Sequence, residues 1–574
     1  MKDTQRRGDA VPNEEKTPPQ FGVLLAFYDY GPGCPAMPRM TWLGKEAVLD
    51  LHRRVPLRLL QSVSAQAIPG RAVGHTLIEG DNLEALRALL PRLQGQVACV
   101  TIDPPYNTGN ENWVYNDAVN SPAMRAWLGK TVGKSVGKDD LTRHDKWLCM
   151  MYPRLMLLHQ LLSEDGSIWV FLDDHEVGPL RLLMDEVFGA DQFIATVIWQ
   201  KVYAPKNSAR HFSDDHDYIV VYAKNAERWR PNLVPRTEAQ DKAYKNPDKD
   251  PRGPWKSGDL SARNSYSEGT YPITCPGGRV IAGPPKGSYW RVSEKKLAAL
   301  HKDARIWWGK DGNSVPSIKR FLSEVKKGVT PQTLWTYDEV GHSQEAKKEL
   351  VDLMPFRDSA SVFISPKPLR LMERILTIAS KPGDIVLDAF AGSGTTGHAV
   401  MRLNQHSTRA RQCVLIQLGR DQDQGPNICQ RITRERLFRA SADGQLNEAW
   451  IYQKLGPQII DNEGRLRELP YHDLANLVWW HATGQTRTTE TTDKSAYLGV
   501  TSDKTAIYLL SGGTLSDKDG PSRNALTPAM LAKLKSHHGP KIIYGAVCRL
   551  GADDLARQQI TFRQLPHALE SLGG

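Results

Sequence analysis

The 574-residue chain contains no apolar run approaching the roughly 18 residues that a membrane-spanning helix needs, so no membrane span is expected. Its opening, MKDTQRRGDAVPNEEKTPPQ, lacks the apolar stretch of a secretory signal, and residues 1–40 read as a disordered or extended lead-in. Cysteine is sparse and scattered: Cys34, Cys99, Cys149, Cys275, Cys413, Cys429 and Cys548, with no CxxC pair. That argues against a structural zinc, leaves no metal expected, and fits reduced thiols in a cytoplasmic setting. A P-loop is also missing. GKTVGKS (129–135) is one residue short and follows no strand, and the glycine-rich DAFAGSGTTG (388–397) has no Lys after Gly394 and no GxGxxG spacing. The chain therefore carries no ATPase motif.

What is present is charge. Lys and Arg outnumber Asp and Glu, for a formal net charge of +10 and a pI near 9.1, a balance that favours a polyanionic partner. With 40% hydrophobic content, the length suits a globular protein of several domains.

Regular patterning begins at GHTLIEGDNLEALRALLPRLQGQVACVTI (74–102), which reads as strand, turn, helix and strand. Leu83, Leu86, Leu89 and Leu90 form one helical stripe. A loop rich in Gly, Lys and Asn follows. Residues 146–174 then predict a long helix, a Glu-Asp-Gly turn and a buried strand, and further apolar runs fall at FIATVIWQK and DHDYIVVYAKN (215–225). From 226 to 335 Lys, Arg, Trp, Pro and Gly mix with little periodicity, the mark of an inserted, loop-rich domain. Helix, strand, Gly-rich turn and helix return over 336–440, resuming the pattern of 41–225. Residues 441–574, with AIYLL (506–510) and KIIYGAVC (541–548), read as a small separate α/β domain.

Two strand ends carry chemistry. The apolar run VACVTI stops at Asp103-Pro104-Pro105-Tyr106, and the carboxyl edge of an α/β sheet is where ligands bind. The prolines fix φ and remove two N–H groups, which leaves a carboxylate and a carbonyl as acceptors for an amino group, with Tyr106 as a stacking face. The bland alternative is a Pro-Pro turn. DAFAGSGTTG opens a helix, where glycines let a ligand approach backbone N–H groups; the alternative there is a tight structural turn.

Together, DPPY at 103–106 and FAGSG at 390–394 resemble the β class of amino-group DNA methyltransferases. TWLGKEAVL, LIEGDNLEAL, IDPPYNTG, WLCMMYPRLMLLHQLL, SEDGSIWVFLDD, DPRGPWKSGDL, FISPKPLRL and DAFAGSGTT resemble more closely the modification (Mod) subunit of type III restriction–modification systems, over residues 40–440 or so. The resemblance implies a Rossmann-like S-adenosylmethionine-dependent methyltransferase fold, α/β, with circularly permuted motif order. Its catalytic half would be 41–225, its cofactor half 336–440, and 226–335 would recognise the target. It also implies that Asp103 and the Pro104 carbonyl accept from the target amine, with Pro105 holding the turn rigid and Tyr106 stacking on a flipped base.

Phe390, Ala391, Gly392, Ser393 and Gly394 would line the cofactor pocket, Asp388 would face the methionine amino group, and Lys367 of SPKP would hold the methionine carboxylate. Asp81, with Asn82 beside it, would bind the cofactor adenine, although an Asp before a helix is equally an N-cap. One departure stands out: Arg420 occupies the place of the acid that commonly holds the ribose, with Asp421 or Asp423 as substitutes by a shifted turn.

The implied reaction is N6-adenine methylation of double-stranded DNA by a homodimer that works with a separate ATP-dependent translocase–nuclease subunit. N4-cytosine methylation and a catalytically idle DNA-recognition subunit are the alternatives. Asp173-Asp174 read as a helix cap, and Trp307-Trp308 with Lys319-Arg320 as either DNA contacts or local core. GNENWVYND, after the tetrapeptide, reads as a loop ordered by DNA.

Overall fold

The computed structural model describes residues 40–108, 143–326, 328–356, 363, 365–419, 427–442, 446–460, 465–485, 487, 495–510, 524–565 and 567–572. GKTVGKS, GNENWVYND, Arg420, Asp421 and Asp423 lie outside them. The chain divides into two compact units, Met1–Arg230 with Thr333–Gly574, and Pro231–Gln332.

The first unit is built on a ten-stranded sheet. Its strands are β1 (Arg58–Ser62), β2 (Arg71–Glu79), β3 (Val97–Ile102), β4 (Leu162–Leu172), β5 (Phe193–Gln200), β6 (His216–Ala223), β7 (Leu334–Trp335), β8 (Ile385–Asp388), β9 (Gln412–Gln417) and β10 (Glu448–Gln458). They lie in the order β1-β10-β2-β9-β8-β3-β4-β6-β5-β7. From β10 to β4 every pair is parallel, and β6 runs against both β4 and β5. VACVTI, IVLD and QCVLIQ are near-continuous apolar runs because parallel strands are covered on both faces. The fold is thus α/β with a large central sheet.

Helices cover the strands: α1 (Asn82–Leu93), α2 (Arg143–Leu161), α3 (Val177–Phe188), α4 (Ser343–Leu353), α5 (Leu369–Ala379), α6 (Thr395–Asn404) and α7 (Glu435–Ala442). The expected stripe Leu83, Leu86, Leu89 and Leu90 is buried, as are Trp147, Leu155, Leu158 and Leu161 of α2.

The topology creates a crevice between β8 and β3. These strands are neighbours, with Asp388 level with Thr101, but the chain leaves β8 through α6 to β9 on one side and leaves β3 toward β4 on the other. Such a switch point at carboxyl strand ends is where α/β sheets open for ligands.

Two local expectations are revised. The Glu-Asp-Gly turn lies within β4, where the register against β3 jumps from Leu162 to Ser167, so four residues bulge out and the strand resumes. Residues 448–458, read as part of a separate C-terminal domain, add β10 to the central sheet. Buried Glu448 locks that strand in place, 2.7 Å from His75 of β2 and 3.1 Å from Asn404 of α6. After β10 come α8 (Tyr471–Thr483) and a small sheet of β11 (Tyr497–Val500), β12 (Ala506–Leu509), β13 (Lys541–Gly545) and β14 (Ile560–Gln564). Ile507, Leu509 and Tyr544 of this sheet share one core with Leu86 and Leu90 of α1 and Leu477 of α8.

The second unit has short antiparallel pairings, the longest joining Ser317–Phe321 to Trp255–Asp259 and Ile306–Trp307. Leu260, Ile273, Trp290, Leu297 and Ile306 form its core. Lys319, considered above for phosphate contact, is instead buried between Asp248 and Asp250. Trp307 packs on Trp255 at 5.4 Å, and the Trp308 indole donates to His301 at 3.0 Å.

Candidate active site

The crevice is a cavity of about 950 Å³ lined by Asp103, Pro104, Pro105, Tyr106, Lys367, Asp388, Phe390, Ala391, Gly392 and Ser393, among others. The tetrapeptide and the glycine loop, some 280 residues apart in the chain, therefore face one space. Three expected residues stand back from its lining: Asp81, Asn82 and Gly394.

The tetrapeptide is held from behind. The buried Trp147 indole of α2 donates to the Pro105 carbonyl at 2.7 Å, and Asn107 takes the left-handed φ of 57° that Asn tolerates. The Asn107 amide donates to Glu176 at 2.5 Å and to the Arg143 carbonyl at 3.2 Å. Glu176 is fully buried, and burial pushes its carboxyl up to about 8. His144, 2.7 Å away, is pushed down, chiefly by burial, so the two are neutral together at pH 7.

Asp103 presents two different oxygens. Oδ2 is paired with Lys367, whose ammonium also lies 5.3 Å from the Tyr106 ring centre and 5.1 Å from that of Phe171. Oδ1 is buried with no hydrogen-bond partner among the described residues. A buried acceptor left open costs on the order of 1–3 kcal/mol, so the site gains when a donor arrives. Tyr106 donates its hydroxyl to Asp217 at 3.3 Å, and Asp217 also takes the Lys201 ammonium at 2.6 Å. Burial, then Asp217, Asp103 and Asp173, hold the Tyr106 phenol well above its ordinary range, so it stays neutral and its ring stays a stacking face. Burial also raises Asp217, which Lys201 opposes.

On the other wall, Asp388 accepts from the Phe390 amide at 3.0 Å and from the Thr396 hydroxyl at 2.5 Å. Burial nevertheless pushes it up to about 7. The loop amides are used internally: Ala391 donates to the Ile416 carbonyl at 3.1 Å, Gly392 to the Gln417 side chain at 2.8 Å, and Gly394 to the Ala391 carbonyl at 2.7 Å. With these N–H groups occupied, the loop offers a close backbone surface rather than an anion cradle. Gly394 caps α6 at φ 80°, where a Cβ would stand 3.2 Å from Thr433.

Asp81 does cap α1, accepting from Leu83 at 2.8 Å and Glu84 at 3.4 Å, while its other oxygen meets Arg154 at 3.3 Å. Asn82 donates to the Ala389 carbonyl at 2.9 Å and so braces the strand end before the glycine loop. Asp173 lines the cavity and accepts from its neighbour His175, while Asp174 takes the Tyr218 hydroxyl.

Sequence reading did not single out Trp147, Asp217, Lys201 or Glu176. The signals available were an indole opening the WLCMM helix and acids at strand ends, neither specific alone. Glu79, at the end of β2, is a further carboxylate near the strand ends. It is occupied by Tyr452, Asn427 and Gln430 and stands off the cavity lining, so it does not replace the acid expected near Arg420.

Residues 97–422 match the family model described as DNA methylase. The chain is 34% identical over 399 residues to the type III restriction-modification enzyme StyLTI Mod subunit of Salmonella typhimurium. That alignment covers 67% of this chain and spans 59% of the relative's length. It is 29% identical to the EcoP15I Mod subunit of Escherichia coli, over 72% of this chain and 70% of that one. Against the type II methyltransferase M.KpnI of Klebsiella pneumoniae it is 29% identical, over 61% of this chain and 82% of that one.

Proposed function

The chain belongs to the DNA methylase family, and from that premise we propose that it is a site-specific DNA methyltransferase. In this reading it moves a methyl group from S-adenosylmethionine to N6 of an adenine flipped out of duplex DNA. The observation that carries the reading is the open acceptor Asp103 Oδ1, buried in the same cavity as the glycine loop. The cofactor fits the residues present: Phe390, Ala391 and Gly392 form a close surface, Asp388 is the acid for an ammonium, and Lys367 is the cation for a carboxylate. At about 950 Å³ the cavity lies near the top of the ~300–1,000 Å³ range of small-molecule sites, ample for a nucleoside with a base beside it. When bound, the cofactor supplies an electrophilic sulfonium methyl.

The chain's own residues do the rest. Asp103 Oδ1 and the Pro104 carbonyl accept hydrogen bonds from the adenine amine, drawing its nitrogen toward sp³ and aiming its lone pair. Tyr106 stacks on the base, with Asp217 fixing the ring's outer end. Flipping costs a few kcal/mol, and the oriented amine recovers this as proximity. The Lys- and Arg-rich unit at 231–332 is assigned the reading of the target sequence.

The relatives named above as Mod subunits support a place in a type III-like restriction–modification system. We therefore assign a separate ATP-dependent translocase–nuclease subunit as partner, a homodimer as the working state and the cytoplasm as location. Among the described residues no helix is long and apolar enough to cross a membrane.

The test is incubation of the purified protein with DNA and methyl-labelled cofactor, followed by nucleoside analysis. N6-methyladenine is expected. N4-methylcytosine would replace adenine as the target, and label on RNA alone would overturn the reading.

A further inference from the structure

The connection between β5 and β6 grows from the cavity rim. Its two stems, Lys201 and Asp217, both line the cavity and are joined to each other at 2.6 Å. Because β5 runs parallel to β3 and β8, the connection emerges at the same sheet edge as Asp103 and Asp388. It is ordered by its own hydrogen bonds. The Lys201 and Val202 amides donate to the Asp215 carbonyl at 2.9 and 3.2 Å, and the Lys206 amide donates to the Ser213 hydroxyl at 2.7 Å. That hydroxyl in turn donates to Asp215 at 2.6 Å.

On this braced loop Phe212 is 95% exposed. A single exposed apolar residue needs no explanation by itself. This one sits on a loop closed by its own hydrogen bonds, five residues from a cavity-lining carboxylate and so within about 17 Å of it at full chain extension. Lys206, Arg210 and His211 precede Phe212 with no acid between Lys201 and Ser213, while Asp214 and Asp215 follow it, Asp215 being bound to the Ser213 hydroxyl. Among the described residues neither Lys206 nor Arg210 is paired with a carboxylate.

We propose that residues 202–215 open the duplex: Phe212 enters the base stack in place of the extruded base, and Lys206 and Arg210 meet the phosphates on either side. The inference rests on the methyltransferase reading above. Its chemistry is that of an apolar ring inserted between base steps with cations on the backbone. An aromatic ring adds stacking on the flanking bases, which an aliphatic wedge lacks.

The test begins with the recognition sequence, obtained by sequencing methylated DNA from cells expressing the protein. Two synthetic duplexes carrying it are then compared, one fully paired and one with an abasic site opposite the target adenine. A third carries 2-aminopurine at the target to report unstacking by fluorescence. Phe212→Ala is expected to lose most of the fluorescence rise and to slow methylation of the paired duplex by about tenfold or more. Opposite the abasic site, where the base is already loose, its rate should return toward that of the wild type. Phe212→Trp, which keeps a stacking ring, should retain activity on the paired duplex.

A Phe212→Ala protein that unstacks and methylates paired DNA like the wild type would overturn the proposal, whatever else it fails to bind. So would one equally slow on both duplexes. Wild-type protein that methylates neither duplex would overturn the methyltransferase reading itself, an outcome no property of Phe212 can mimic.

Discussion

At the scale of single residues, two acceptors in the cavity, Asp103 and Asp217, have different neighbours. Asp103 keeps one oxygen for Lys367 and leaves the other open, while Asp217 is shared between the Tyr106 hydroxyl and Lys201. Asp217 is therefore a positioning residue. Asp217→Asn should keep the cavity but loosen the ring, raising KM for DNA more than it lowers kcat. Tyr106→Phe, which keeps the stacking face and loses only the hydroxyl bond, should lose no more than about tenfold in kcat/KM, or roughly 1.4 kcal/mol. Steady-state kinetics on both variants checks this, and a Tyr106→Phe protein as impaired as Tyr106→Ala would contradict the stacking role. Asp103 and the glycine loop were legible in sequence because each is a contiguous stretch at a strand end. Asp217 was not, because its meaning arises from contact with a tyrosine 111 positions away.

At the scale of elements, α2 and the segment before α3 act as a clamp behind the tetrapeptide. Trp147→Phe removes the donor to the Pro105 carbonyl without emptying the core. It should cost about 1–2 kcal/mol in denaturant unfolding and slow single-turnover transfer. Glu176 makes the clamp pH-sensitive. Its folded carboxyl is raised from 4.5 to about 8, so folding holds a proton there that the unfolded chain gives up earlier. The stability it contributes is full below 4.5 and is lost as pH rises through about 8, with a slope of up to ~1.4 kcal/mol per pH unit. Thermal melts of the wild type and Glu176→Gln across that window should diverge, with the wild type falling more steeply. Parallel curves would refute the buried neutral acid. Helical and strand periodicity was readable for these elements, including the α1 stripe. The bulge in β4 was not, since SEDG is an ordinary turn sequence and only pairing with β3 places it inside a strand.

At the scale of the whole molecule, the segment from 448 onward completes the first unit. β10 lies between β1 and β2, α8 packs on α1, and the Trp480 indole donates to Gln94 at 2.6 Å while Arg92 pairs with Asp473 at 2.5 Å. A chain ending at residue 465 would lose α8 and the small sheet and expose Leu86, Leu90 and their neighbours. It should be insoluble or lack near-ultraviolet circular dichroism, whereas a cooperatively melting fragment would contradict the shared core. The strands AIYLL and KIIYGAVC were readable, but the sharing of one core by residues more than 400 positions apart leaves no local signature. We propose that Asp103 Oδ1, open in the cavity, accepts from a substrate amine. This role is tested most directly by single-turnover methyl transfer to DNA with wild type and Asp103→Ala side by side, each first shown to be folded by its melting curve. N6-methyladenine is expected from the wild type, with a loss of at least about a hundredfold in the variant. Transfer at the wild-type rate by folded Asp103→Ala would contradict it.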